Sequence, residues 1–480
     1  MLEKTPESEL KEVIYLLQGN VFPKWDERKL GISSRLAIKA ISLSTGISPE
    51  KIEKAWAKIG DLGEVIENIS KKSRQQTLFK KTLTISKVYE NLLKIAELEG
   101  KGTVSKKLAL ITELLGPSND LESKYIIRTV IGDLRIGVAE GLIRDSIAWT
   151  FLPKVKGIND FNHQGKTLKI SSLDELKEHH LKEYSLLESD EKTSREIYNY
   201  LIKKVQHAYD LVNDFGEVAL SVKKLEFKKL HMQPFTPVNP MLAIKVENVG
   251  EALEALGKPA LAEYKLDGAR LQIHKLNNEV RLFTRRLENV TKQFQELIPI
   301  IKEHVHAKSC ILDSEVVGYD PGTNKTLPFQ HISQRIKRKY DIEKTASKVP
   351  VVINIFDVLY LNGEPVIDLT QEERRKLLEK IIKQEKRKIK LTEKLISSDT
   401  KEIEKFYKES LKLGNEGLII KSLTSSYVPG RRVGGWLKLK PEKETLDLVI
   451  TSAEWGTGKR AKTLSSFDIA CRDKNKFLEI

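Results

Sequence analysis

The spacing of apolar residues changes period near residue 216, and that change constrains the chain more than any other feature. Before it, apolar positions recur at helical spacing in LKEVIYLLQGNVF, SRLAIKAISLS, KVYENLLKIAELEG and SKYIIRTVIGDLRIG. Residues 152–192 are less periodic and read as a long connection with short helices. After it come short strand-like runs: ALAEYKL, ARLQIHKL, EVRLFTR, CILDSEVVGY, VPVVINIFDVLYL, GLIIKSL and GWLKLK. QEERRKLLEKIIKQEKRKIK, residues 371–390, interrupts them as a charged amphipathic helix. At the join, Pro234, Pro237 and Pro240 favour an extended, irregular crossing. A further strand set, DLVITSAEW and SSFDIACRD, begins near residue 445. The pattern predicts an all-α region over 1–215, a mostly antiparallel α+β region over 216–443, and a strand region over 444–480. No repeat of solenoid type is present.

Composition narrows the class. The chain has 480 residues, which suits about three domains. A net charge of +15 points to a polyanionic partner, nucleic acid first, with a solvated basic surface as the bland alternative. Only two cysteines, Cys310 and Cys471, exclude a disulfide framework and a multi-cysteine zinc site. The N-terminus carries charges where a signal peptide needs an apolar core, and no apolar run is long enough to span a bilayer. These features predict a cytoplasmic protein with no membrane association.

The densest chemistry lies in EYKLDGARLQIH, residues 263–274. On a strand, Glu263 and Lys265 share a face; so do Arg270, Gln272 and His274. One reading is a nucleophilic lysine beside a phosphate-binding arginine. The other is an exposed hairpin with an ordinary lysine. Parity also aligns Trp436, Lys438 and Lys440, either against a polyphosphate or nucleic-acid backbone or as lysines guarding an edge strand. Asp313 and Glu315 share a face of an apolar run, and Glu416 precedes a strand that contains Lys421. Carboxylates placed so are costly unless paired, so Glu315 and Glu416 are either ligands for a hard cation such as Mg²⁺ or members of structural ion pairs.

The order of these pieces is more specific than any one of them. KLDGAR, FTRRLENVT, DSEVVGYD, INIFDVLYLNG, NEGLIIK and WLKLK, in that order over about 175 residues, resemble the covalent nucleotidyltransferases: ATP-dependent DNA ligases, RNA ligases and mRNA capping enzymes. RTVIGDLRIGVAEGLIRDSIA at 128–148 resembles the helical DNA-binding domain of replicative-type DNA ligases, and NDFGEVA and FTPVNPMLA resemble that family's passage into its catalytic domain. The whole chain is most similar to archaeal ATP-dependent DNA ligases, relatives of eukaryotic DNA ligase I.

That resemblance implies an all-α DNA-binding domain over 1–215, an antiparallel α+β adenylation domain over 216–443 and the start of an oligonucleotide-binding β-barrel over 444–480. It implies that Lys265 forms a lysyl-AMP with ATP. Glu263, Arg270, Arg285, Glu315, Phe356, Arg432 and Lys438 would bind the nucleotide, with Glu263 on the adenine amino group, Phe356 stacked on the base and Arg431 an alternative to Arg432. Lys421 and Lys440 would contact phosphates or the nick, and Glu315 and Glu416 would hold Mg²⁺, or Mn²⁺ in its place. Arg135 in GDLRIG would contact DNA phosphates, and RIKRK at 335–339 would add non-specific affinity or form a solvated face. The implied substrate is nicked duplex DNA; a sliding clamp is a plausible partner, and the expected state is a nucleoid-associated monomer. Only about 35–40 residues follow the catalytic region, too few for a five-stranded barrel. The family's last basic motif finds no counterpart, so poor self-adenylation is expected. Two competing readings are an RNA ligase or capping-type enzyme, and a non-catalytic DNA-binding remnant.

Overall fold

The computed structural model describes residues 1–72, 82–100, 102–160, 165–320, 322–323, 325–337, 349–442, 445–456, 460–473 and 476–479. The chain divides into two compact units. One comprises Met1–Val205, Phe215–Leu225 and Lys443–Ile480; the other comprises Gln206–Asp214 and Glu226–Glu442.

The first unit is chiefly helical, as the period predicts. Its helices are punctuated by local chemistry. Ser33 and Thr84 cap the Ser34–Thr45 and Ile85–Glu97 helices through their side-chain oxygens, and Gly46 ends the former in a left-handed turn. Asn119 and Glu122 form a reciprocal capping box on Asp120–Val130. The apolar stripes meet in a core of Ile38, Ile41, Ile52, Leu92, Ile95, Ile111, Leu114 and Ile127. The stretch 152–192 differs from its expectation. Besides the short Leu173–Glu178 helix it holds β1 (Lys154–Val155), β2 (Thr167–Lys169) and β3 (Leu186–Glu188), paired in parallel in the order β1-β3-β2. Strands this short leave too few residues for a period to register, and buried Val155, Leu168, Leu186 and Leu187 betray them.

The second unit contains two sheets. The five-stranded one runs β13-β5-β14-β15-β4, with β4 Ile244–Val246, β5 Ala260–Lys265, β13 Lys394–Ser397, β14 Gly417–Ser422 and β15 Trp436–Leu439. The other is built on the path β11-β10-β8-β6-β7 (β6 Ala269–Leu276, β7 Glu279–Thr284, β8 Ser309–Tyr319, β10 Val351–Leu361, β11 Glu364–Pro365). β9 (Thr326–Leu327) and β12 (Ile389–Leu391) pair off it. Most pairings are antiparallel; β4 with β15 and β12 with β10 are parallel. The helix expected over 371–390 ends at Ile381, because Arg387 takes a positive φ and Ile389 turns inward to pair with Ile353.

Alternation then sorts the side chains. On the five-stranded sheet Ala260, Ala262, Leu418, Ile420, Leu437 and Leu439 face a core with Leu253 and Ile403. On the larger sheet Leu271, Ile273, Leu312, Val316, Ile353 and Ile355 face a core with Phe294, Ile301 and Leu378. Each fully buried Leu, Ile or Phe contributes about 1.5–3 kcal/mol, so these two cores hold the opposite faces in register. The polar residues of both sheets are left on those opposite faces. In the last described segment, β16 (Leu448–Trp455), β17 (Leu464–Asp473) and β18 (Lys476–Glu479) form an antiparallel sheet.

Candidate active site

Cross-strand register assembles the site on the polar face of the five-stranded sheet. Lys265 lies opposite Gly417; Glu263 lies opposite Ile419, which pairs with Lys438; Leu261 lies opposite Lys421, which pairs with Trp436. The expected parities hold: Glu263 and Lys265 share this face with Lys421, Lys438 and Trp436. Gly417 is needed at its place, since its φ is +138° and an added Cβ would lie 2.1 Å from the Leu439 carbonyl oxygen.

Lys265 Nζ sits 2.7 Å from Glu416, which also pairs with Lys440. Burial alone would raise the Glu416 carboxyl, but the hydrogen bonds from Lys265 and Lys440 hold it below the usual range. Lys438 is depressed, first by burial and then by the charges of Arg432, Lys440, Lys265 and Arg285. Cations from two strands and the loops beside them therefore converge on one place, which is the electrostatic signature of an anion site. Arg432 and Arg285 are exposed, whereas Arg431 is half-buried and accepts the Leu242 N–H with its carbonyl.

Glu315 extends this group from the larger sheet, opposite Arg270. Burial pushes its carboxyl up to about 7, against the pull of Lys265 and Arg270 and with the help of Glu416 and Asp313. Gly268, in the turn between Lys265 and Arg270, makes this approach possible. A Cβ there would stand 2.4 Å from the Val316 carbonyl oxygen and 2.9 Å from the Glu315 side chain.

Arg270 is committed to the protein. It donates to Asp313 at 2.6 Å, to the Met241 carbonyl at 2.9 Å and to the Tyr427 hydroxyl at 3.1 Å. Burial would lower its pKa, but Asp313 outweighs that and raises it, so the guanidinium is permanently charged. Tyr427 donates to Asp313 at 2.7 Å and accepts the Met241 N–H at 2.9 Å. The same face of β6 holds the proline-rich crossing. Prolines there cannot join a ladder, so side chains satisfy the backbone instead. His274 Nδ1 accepts the Phe235 N–H at 2.9 Å, and Gln272 accepts the Val238 N–H at 2.7 Å and donates to its carbonyl at 3.2 Å.

Phe356 sits where the β10–β8 register slips between Ile355 and Asp357, a bulge that re-aims its ring. It meets Trp436 edge-on at 6.0 Å, and the Arg270 and Lys421 charges each lie 5.3 Å from its centroid. A cation-rich aromatic corner of this kind can hold a flat base.

Three residues expected at phosphates or DNA have protein partners. Lys421 does not join the phosphate row. It is 1% exposed, 2.5 Å from Glu263, 4.3 Å from the Trp436 centroid, and donates to the Phe356 carbonyl. Its place opposite Trp436, one row beyond Lys438, aims it into the aromatic corner. Arg135, in the helical unit, has a positive φ and donates to the Gly60 carbonyl at 2.6 Å and to Asp133 at 3.0 Å, with Asp61 at 3.6 Å. Asp61 is buried and bound at 2.5 Å by Arg128, and Arg135 stays exposed beside this pair. Arg335 of RIKRK is internal: it pairs with Glu296, donates to the Val349 and Gln293 carbonyls, and lies over Phe294. Arg338 and Lys339 of that run lie outside the described residues.

The sequence reading missed the helix Gln371–Ile381 as part of the site. Thr370 and Glu373 start it with a capping box, and its buried face is Gln371, Arg374, Arg375, Leu378 and Ile381. Arg374 binds Asp357 at 2.8 and 3.2 Å and Gln371 at 3.0 Å, and Gln371 accepts from the Trp436 indole at 3.1 Å. Arg375 donates to Glu263 at 2.8 Å. The available signal was polar residues at helical spacing on the stripe that Leu378 and Ile381 continue.

Taken together, one sheet face carries a lysine amine, a cation cluster and a base-sized aromatic corner. Comparison with known proteins gives the family. Residues 240–440 match the ATP-dependent DNA ligase domain and residues 1–148 match the DNA ligase N terminus. A DNA ligase of Nanoarchaeum equitans is 41% identical, covering 99% of this chain and 77% of its own length. A DNA ligase of Thermococcus onnurineus is 41% identical over 98% of this chain and 76% of its own, and one of Archaeoglobus fulgidus is 36% identical over 97% and 75%. The chain belongs to the ATP-dependent DNA ligase family. Among the described residues no helix is long and apolar enough to cross a membrane.

Proposed function

We propose that this chain seals nicks in duplex DNA in replication, recombination and repair, using ATP as the AMP donor. The observation that carries the reading is the convergence of Lys265, Lys440, Arg285 and Arg432 on Lys438. Phosphoryl-type transfer needs charge neutralised on spread oxygens and an in-line nucleophile more than it needs proton chemistry. Lys265 Nζ attacks the α-phosphorus of ATP and pyrophosphate leaves. The 5′-phosphate at the nick then takes AMP from Lys265, and the 3′-hydroxyl attacks that phosphate and displaces AMP. Glu263 accepts from the adenine amino group and Phe356 covers the ring. Arg270, fixed by Asp313 and Tyr427, faces the ribose or phosphate.

Glu315 and Glu416 are neighbouring carboxylates beside Lys265, oxygen donors that would hold a hard divalent ion, Mg²⁺ or Mn²⁺. When bound, that ion would neutralise charge on the phosphate oxygens. In this reading the protein acts as a nucleoid-associated monomer, with a sliding clamp as its further partner, and its adenylation domain is the 216–443 region.

The experiment is incubation with α-³²P-ATP and Mg²⁺ beside Lys265→Ala, followed by a denaturing gel and by sealing of both a plain and a pre-adenylated nick. Label on the wild type, however weak, and none on the variant is expected, with sealing of at least the pre-adenylated nick. Label surviving in Lys265→Ala, or failure at both the label and the pre-adenylated nick, refutes the reading.

A further inference from the structure

We propose that Arg375 is a positioning residue for base selection: it holds the Glu263 carboxylate in the one orientation that accepts an amino group at purine C6. The inference rests on the reading of Glu263 as the acceptor for adenine. Glu263 is 1% exposed, and its two oxygens are held by different cations, one by Arg375 at 2.8 Å and the other by Lys421 at 2.5 Å. A carboxylate held at both oxygens cannot turn about its last bond, so its remaining lone pairs point in fixed directions. An ionised carboxylate only accepts. A 6-amino purine offers it a donor; a 6-oxo purine offers it another acceptor and is repelled.

Arg375 is built for this task. Its guanidinium is 7% exposed and fixed on three sides: Glu263, the Thr392 carbonyl at 3.0 Å and Glu379 at 3.2 Å. Glu379 is itself held by Lys394 at 2.5 Å. The planar fork bridges all three at once, which a lysine ammonium cannot do. With Arg375 shortened, Glu263 keeps Lys421 as its counter-charge but gains rotation.

The test measures initial rates of Lys265 labelling with α-³²P-ATP and with α-³²P-inosine triphosphate, in wild type, Glu263→Gln, Arg375→Met and Arg375→Lys. Glu263→Gln, whose amide can accept or donate, should lower the preference for ATP by about a hundredfold. Arg375→Met should lower it by about tenfold, through a higher half-saturating ATP concentration with the maximal labelling rate changed by less than about threefold. Arg375→Lys should fall between Arg375→Met and wild type, and it serves alone if the Met variant does not fold. An unchanged preference in Glu263→Gln refutes the reading of Glu263 itself. A lowered preference there, with wild-type preference or an equal loss for both nucleotides in the Arg375 variants, leaves Glu263 in place and overturns the role of Arg375.

Discussion

His274→Asn should flatten the acid dependence of the catalytic unit's stability. His274 is fully buried, and burial, with the Arg281 charge second, pushes its pKa down to about 3 from an ordinary 6.5. Its nitrogens are already assigned. Nδ1 accepts the Phe235 N–H, and Nε2 donates to the Gln272 side-chain oxygen at 2.9 Å, so a proton added to Nδ1 would face another N–H. Below pH 6.5 the unfolded chain takes up a proton that the folded chain refuses until about pH 3. The stability due to the neutral ring is therefore complete above 6.5 and drains away as pH falls. Each pH unit costs about 1.4 kcal/mol, so lowering the pH from 7 to 5 removes about 2 kcal/mol through this one residue. Asparagine keeps an acceptor for Phe235 and does not titrate. The assay is hydrogen exchange of peptides spanning 260–284, in urea, at pH 7 and pH 5, for both proteins. Asparagine loses ring packing against Phe283, which lowers stability equally at both pH values. The quantity read is the difference in slope. Equal slopes within about 0.5 kcal/mol would refute the reasoning, because stability changes from groups elsewhere cancel between two chains that differ only here.

Two further substitutions probe packing at the site. Gly268→Ala forces a methyl group into the Val316 carbonyl and Glu315, and should cut Lys265 labelling by about a hundredfold, measured at matched temperature below unfolding; near-normal labelling would mean the turn relaxes freely. Arg374→Leu orphans Asp357, both partners being 0% exposed, and should cost about 3–5 kcal/mol by urea unfolding. Arg374→Leu with Asp357→Leu should cost less than Arg374→Leu alone, and a double variant no better than the single would show that the ion pair is not the source of the loss.

Strand parity carried much of the site. Two-residue alternation put Glu263 with Lys265 and Lys438 with Lys440, and aligned Arg270, Gln272 and His274, before any register was known. The proline spacing in QPFTPVNPMLA marked the crossing that this last trio binds. What parity could not supply was depth. Lys421 has the alternation of a phosphate ligand, but its row ends at Trp436 and Leu261, and that follows only from how three strands slide against one another. Arg335 looks like surface charge in the sequence because its partner, Glu296, is distant along the chain. The bulge at Phe356 left no mark in VPVVINIFDVLYL, where an unbroken alternation reads equally well. Arg374 and Arg375 do not stand out in the sequence, since a helix rich in Lys and Glu hides a polar residue on its inner stripe.

That pair of neighbouring arginines limits how the gene can change length. Successive residues on a helix are turned by about 100° and shifted by about 1.5 Å. Arg374 reaches Asp357 and Arg375 reaches Glu263 only because the capping box starting at Thr370 fixes the phase of that helix. Loss or gain of one codon between 371 and 374 would rotate both guanidinia off their carboxylates together, and no single compensating substitution restores two partners in different strands. The few codons after Thr370 should therefore keep their number.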